Sequence, residues 1–211
     1  MEATIVKIPG TKWGDLPEWG EPILRLLNER IFMTNQQIAK FFPIYGKGNV
    51  KRKLIKLADM NYLRRYEITT VNQTKPITGY TVGEEGFRIT RKLIPELTCN
   101  KALEFIAANE FCTANGIEKP VFWVSKGLLV GEVKIDDQKY ALWCPRQYDD
   151  RIQSLKSEVE LSCRGLIVVS PSLKLISQIA GDIDIYVPVY FTTDSLLTDF
   201  MQYKDGSIQP L

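Results

Sequence analysis

The chain has 211 residues, 27 Lys+Arg against 25 Asp+Glu, and is 45% hydrophobic. That composition is globular and excludes a collagenous or low-complexity class, and no apolar run approaches the ~20 residues that a bilayer span needs. It contains no histidine, which excludes Ser-His-Asp and Cys-His catalysis and His-ligated metals together.

Residues 1–20 are rich in Gly, Pro and Trp without a hydrophobic period, and are expected to form an arm or a packed loop. Their start lacks a basic segment followed by an apolar core, so no signal peptide is expected and the location is read as cytoplasmic. Ile23, Leu24, Leu27 and Ile31 then recur at helical spacing. Thr34 and Gln37 stand three apart as in a capping box, which marks the start of a second helix. Pro43, Gly46 and Gly48 interrupt the chain, and NVKRKLIKLADMNY predicts a third helix with Asn49 as a plausible cap. LRRYEITTV and ITGYTVG read as strands joined by NQTKP, and EEGFRITRKLI as a turn and short fourth helix ending before Pro95.

The second half has a different rhythm. NKALEFIAANEFCTANGI predicts a helix, and PVFWVSKG, LLVGEVKI and KYALWCPRQ predict three strands with turns at Lys126-Gly127 and Asp136-Asp137. A helix over YDDRIQSLKSEVELSC, a buried strand at RGLIVVSPS, a helix at LKLISQIAG and a strand at DIYVPVYFTTD follow. The order αβββαβαβ implies a mixed sheet flanked by helices. Cys99, Cys112, Cys144 and Cys163 fit no zinc spacing and read as reduced thiols. Trp123, Trp143, Tyr186 and Tyr190 are aromatics that a partner surface would use, although cores use them more often.

Charge divides the chain at the same place. Residues 1–95 hold 16 Lys+Arg and 9 Asp+Glu, a net of +7, whereas residues 96–211 hold 11 and 16, a net of −5. The fold class expected is therefore α+β: an arm over residues 1–20, a winged helix-turn-helix over 21–95, and a mixed α/β domain over 96–211. Three helices followed by a hairpin is the winged-helix order, in which the third helix enters the major groove. At ~100° per residue, Leu54, Leu57 and Ala58 fall within about 80° of Val50, while Asn49, Arg52, Lys53 and Lys56 fall between about 200° and 300°. Asn49 can pair with adenine and Arg52 with guanine, whereas Lys53 and Lys56 suit phosphates. Arg64, Arg65 and Lys75 in the hairpin, and Thr34 and Gln36 at the start of the second helix, complete the expected contact set. A basic helix face that is merely solvated is the competing reading.

The path from TNQQIAKFF through NVKRKLIKLADMNYLRRYEI to GYTVGEEGFRI resembles the replication-relaxation family of plasmid and conjugative-element proteins. That family has a basic third helix, an exit like G-L-L-R-R and a closing strand like Y-x-L-T-x-x-G. Here the exit is Met60 to Arg65 and the closing strand is Tyr80 to Gly86, with Gly83 where the family prefers threonine. The resemblance covers residues 21–92 and implies double-stranded DNA binding in plasmid replication or mobilisation.

The αβββαβ order of residues 101–191 resembles the restriction-endonuclease-like, PD-(D/E)xK fold, whose chemistry places acids around Mg²⁺ beside a lysine. Glu132-Val133-Lys134 is an E-x-K on one strand face, with Glu118 or Asp137 as a further acid. In that fold, E-x-K lies on the strand just before the following helix; here that strand is KYALWCPRQ, with Trp143 and Pro145 where acids would be needed. The second half is accordingly expected to be non-catalytic, without metal or cofactor. The expectation is a homodimeric DNA-binding protein without membrane association, acting in replication, mobilisation or transcriptional control, with replication or conjugation proteins as further partners. The alternatives are a Mg²⁺-dependent nuclease and a protein-interaction module.

Overall fold

A computed structural model describes residues 3–12, 14–71, 74–92, 94–204 and 206–211. The chain is α+β with two sheets and forms two compact units, Met1–Ala102 and Leu103–Leu211. No helix among the described residues is long and apolar enough to cross a membrane.

The first unit runs β1 (Ala3–Ile8), α1 (Gly20–Arg30), β2 (Met33–Thr34), α2 (Asn35–Phe41), α3 (Lys47–Asp59), β3 (Leu63–Thr70), β4 (Ile77–Val82) and α4 (Glu84–Thr90). Its sheet has the order β1-β3-β4-β2 and is antiparallel throughout. The short strand between the first two helices thus pairs with the second strand of the hairpin. Ile23, Leu24 and Leu27 of α1 and Val50, Leu54 and Leu57 of α3 are fully buried. Phe32 packs against Gly79, where any added Cβ would collide with its ring.

Thr34 caps α2 through the expected capping box: its hydroxyl accepts from Gln37 N at 3.2 Å, and Gln37 Oε1 accepts from Thr34 N at 2.9 Å. The third helix differs from its expected start. It begins at Lys47 behind Gly46, whose φ of 67° favours glycine, so Gly48 is helical and Asn49 lies in the first turn rather than at the cap. It ends in a Schellman motif. Asn61 takes φ 59°, its N–H donates to Ala58 O, and Tyr62 N–H donates to Leu57 O.

The N-terminal segment is not merely a loop. Ala3–Ile8 form an edge strand on β3, in register from Ala3↔Thr70 to Ile8↔Arg65. Its side chains show no clean alternation of burial, because at a sheet edge the ladder rather than a buried face sets the conformation.

The chain continues with α5 (Cys99–Ala114), within which the second unit begins, and then β5 (Val121–Phe122), β6 (Gly131–Ile135), β7 (Gln138–Trp143), a 3-10 turn (Asp150–Ser154) leading into α6 (Leu155–Glu158), β8 (Gly165–Ser170), α7 (Leu173–Ile179), β9 (Val189–Thr193), β10 (Met201–Lys204) and β11 (Ser207–Pro210). The seven strands lie in the order β11-β10-β9-β8-β7-β6-β5. β7, β8 and β9 are parallel, and the other pairs are antiparallel. Asp136 and Asp137 turn the β6–β7 hairpin with φ of 49° and 59°, both positive as a type I′ turn demands. The helix expected over residues 148–163 is broken. Asp149 accepts from Arg151 N and starts a tighter 3-10 turn, and Val159 is already extended.

Trp143, Leu155, Leu166, Val168, Ile176, Ile179 and Phe191 form the core of this unit. Buried Arg146 joins the ends of the parallel strands, donating to Val169 O at 2.6 Å, Cys144 O at 3.2 Å and Asp194 Oδ2 at 2.7 Å. That spreads a buried charge over three acceptors, which offsets its desolvation.

Candidate nucleic-acid interface

The apolar stripe of α3 fixes its orientation. With Val50, Leu54, Leu57 and Ala58 against the core, the other side of the cylinder must face water. Asn49, Arg52 and Lys56 are exposed there and Lys53 is half-buried at the margin, while Lys47 at the helix start and Lys51 on the opposite flank are also exposed. No carboxylate among the described residues forms an ion pair with Lys47, Lys51, Arg52 or Lys56.

These side chains are not independent. Arg52 Nη2 donates to Asn49 Oδ1 at 2.9 Å, one turn earlier. The amide oxygen therefore orients the guanidinium, which keeps its remaining N–H donors. Lys53 Nζ lies 3.9 Å from the Trp19 ring centroid and 4.5 Å from that of Tyr45, and Lys56 Nζ lies 5.9 Å from Trp19. Ring faces attract an ammonium electrostatically at such distances.

The other expected residues divide into two kinds. Thr34 holds the cap of α2, and its neighbour Gln36 is exposed. Lys75 is exposed in the hairpin loop, whose Asn72 and Gln73 lie outside the described residues. Arg64 and Arg65, by contrast, are half-buried and already engaged by the fold. Arg64 Nη1 donates to Ile94 O at 2.8 Å, and Arg65 Nη2 pairs with Glu67 Oε1 at 2.6 Å. The structure thus brings Asn49, Arg52, Lys53 and Lys56 onto one helix surface and leaves the two hairpin arginines tied elsewhere. Sequence reasoning missed Lys47 and Lys51, which the local charge density could have supplied. It also missed Trp19 and Tyr45, for which no local signal exists.

In the second unit the E-x-K residues lie on β6, but their surroundings are those of an ion-pair network. Glu132 is paired with Lys139 at 2.8 Å, Lys139 with Glu160 at 2.9 Å, and Glu160 with Lys126 at 3.2 Å. Hydrogen bonds donated by Lys139 and Lys126 hold the Glu160 carboxyl down at about 2, and the bonds that Lys139 donates to Glu132 and Glu160 raise its own value. Lys134, Asp137 and Glu118 are exposed. Among the described residues no group of three or more Cys, Asp or Glu is placed to hold a metal ion. Of the four aromatics, Trp143 is core, Trp123 lies under the Lys126 ammonium at 4.0 Å, Tyr190 is half-buried against Tyr140, and Tyr186 is exposed.

No family model matches the chain, and no curated protein matches it significantly.

Proposed function

We propose that this protein binds double-stranded DNA through its first unit, read as a winged helix-turn-helix with α3 as the recognition helix. The observation that carries the reading is the exposed face of α3. Five cations of one helix are presented to solvent or its margin without carboxylate partners among the described residues, with an oriented Asn49–Arg52 pair among them. A surface of that kind attracts a polyanion. The strand order supports the same reading, since β2 lies between α1 and α2 and pairs with β4 of the hairpin. Arg52, oriented by Asn49, reads a base edge, while Lys51, Lys53 and Lys56 contact phosphates. Lys75 reaches the flanking backbone, and Gln36 and Thr34 contact phosphate at the start of α2.

On the resemblance to the replication-relaxation family, the setting is a plasmid or mobile element, in replication, mobilisation or transcriptional control. The second unit is assigned a non-catalytic role within a restriction-endonuclease-like fold. Supporting this, Glu132 and Glu160 are both held by the Lys139 ammonium, and Trp143 stands in the core on the strand where acids would be needed. A cytoplasmic homodimer is the form expected, because symmetry doubles the contacts made on DNA.

Selection of bound duplexes from a random library tests the function. Enrichment of one motif, with two half-sites if the protein is a dimer, is the expected result. A library that returns unenriched refutes sequence-specific binding.

A further inference from the structure

Resting on the DNA-binding reading, we infer that Trp19 and Tyr45 are positioning residues of the interface, and that the N-terminal segment is part of the apparatus that presents Lys53 to a phosphate. The segment is fastened to the exit of α3. Thr11 N and Lys12 N both donate to Asp59 O, at 3.0 and 2.8 Å, and Tyr62 Oη donates to Gly14 O at 3.1 Å. At Gly10 there is no room for a side chain, since a Cβ would meet Ala58 O and Asn61 Oδ1. At Gly20 a Cβ would meet Leu16 and Leu57, so α1 begins directly against α3. These contacts fix where Trp19 stands, and its ring lies beside both Lys53 and Lys56.

Tyr45, in the tight 3-10 turn between α2 and α3, lies against the same ammonium. A lysine on a helix surface ordinarily samples many rotamers, and holding it in one conformation costs entropy on binding. Two rings within 4.5 Å of Lys53 Nζ restrict that freedom before DNA arrives. They do so without neutralising the charge, as a carboxylate would. The rings therefore act through Lys53, by preorganisation, and not by stacking on bases.

The test measures binding of the full chain to its selected duplex against salt, for the parent, Lys53→Gln, Trp19→Leu, Tyr45→Leu, the double variant Trp19→Leu/Lys53→Gln, and Trp19→Phe. Lys53→Gln should make the log–log salt slope shallower by about 0.9, the loss of one phosphate contact. Trp19→Leu and Tyr45→Leu, which leave the Lys53 charge in place, should each weaken binding severalfold at fixed salt while keeping a slope near the parent's, the double variant should bind no more weakly than Lys53→Gln, and Trp19→Phe should restore the parent affinity. A thermal melt of each variant accompanies the titrations. Should Trp19→Leu fail to fold, Tyr45→Leu on the exposed turn decides the matter. Ring variants that keep the parent affinity at fixed salt, or a double variant whose loss is additive, overturn the positioning role while leaving DNA binding intact. A parent that binds no duplex overturns both, so the two failures are told apart.

Discussion

The lysines of α3 and those of the β6–β7 region are the same residue type in opposite surroundings. Lys139 is locked between Glu132 and Glu160 and Lys126 is paired with Glu160, and this network is a piece of the fold. Among the described residues Lys47, Lys51 and Lys56 have no such partner, and Lys53 is held by aromatic rings that leave its charge intact. The contrast teaches that a cation's partner, more than its exposure, decides whether it is available to a polyanion. It also separates the hairpin from the helix within the first unit. Arg64 and Arg65 carry the charge that the sequence suggests, yet Ile94 O and Glu67 already occupy them.

The comparison can be broken at several places. The largest effect is expected in the core of the second unit. Trp143→Ala should cost about 3–5 kcal/mol in chemical denaturation, because it empties a large and fully buried site. On the α3 surface, Arg52→Ala should cost about 1–3 kcal/mol of DNA affinity and relax base choice at one position. Lys56→Ala should weaken all sequences alike. Glu132→Gln, in the paired network, should leave DNA affinity and salt slope unchanged; a change there would erase the distinction between the two sets of cations.

Smaller effects sharpen it. Thr34→Ala should destabilise the first unit by about 1 kcal/mol, through loss of the capping box at α2. Glu160 should titrate near a pH of about 2 in a carboxyl NMR experiment. Because its folded value is depressed, its contribution is present above the ordinary carboxylate range and disappears as pH falls toward that value. Replacing both Lys126 and Lys139 by Met should return it to the ordinary range. A Glu160 that titrates normally in the parent would mean that the paired cations are no more engaged than those of α3.

What the sequence made legible was local. The capping box at Thr34 and Gln37, the stripe of Val50, Leu54 and Leu57, and the Asp136-Asp137 turn all follow from spacings of a few residues, and the structure places each as read. What remained hidden depends on distant partners. β1 is defined by a ladder to β3 more than fifty residues further along the chain, and β10 and β11 are short strands near its end whose polar residues give little alternation. The Trp19–Lys53 contact and the Arg64–Ile94 bond join residues 34 and 30 positions apart. Periodicity shows that an arginine lies on a strand, but not that a carbonyl from another segment awaits it.

The central claim is that the cationic face of α3 docks on a duplex. The most direct test is fluorescence anisotropy of a labelled duplex with the parent and with Arg52→Ala/Lys56→Ala, over about 50 to 200 mM salt, where six to ten phosphate contacts would lose about 10³–10⁵ in affinity. The account predicts a steep fall for the parent and, for the double variant, weaker binding with a shallower slope. A double variant that binds as tightly as the parent at low salt, with the same slope, would contradict it.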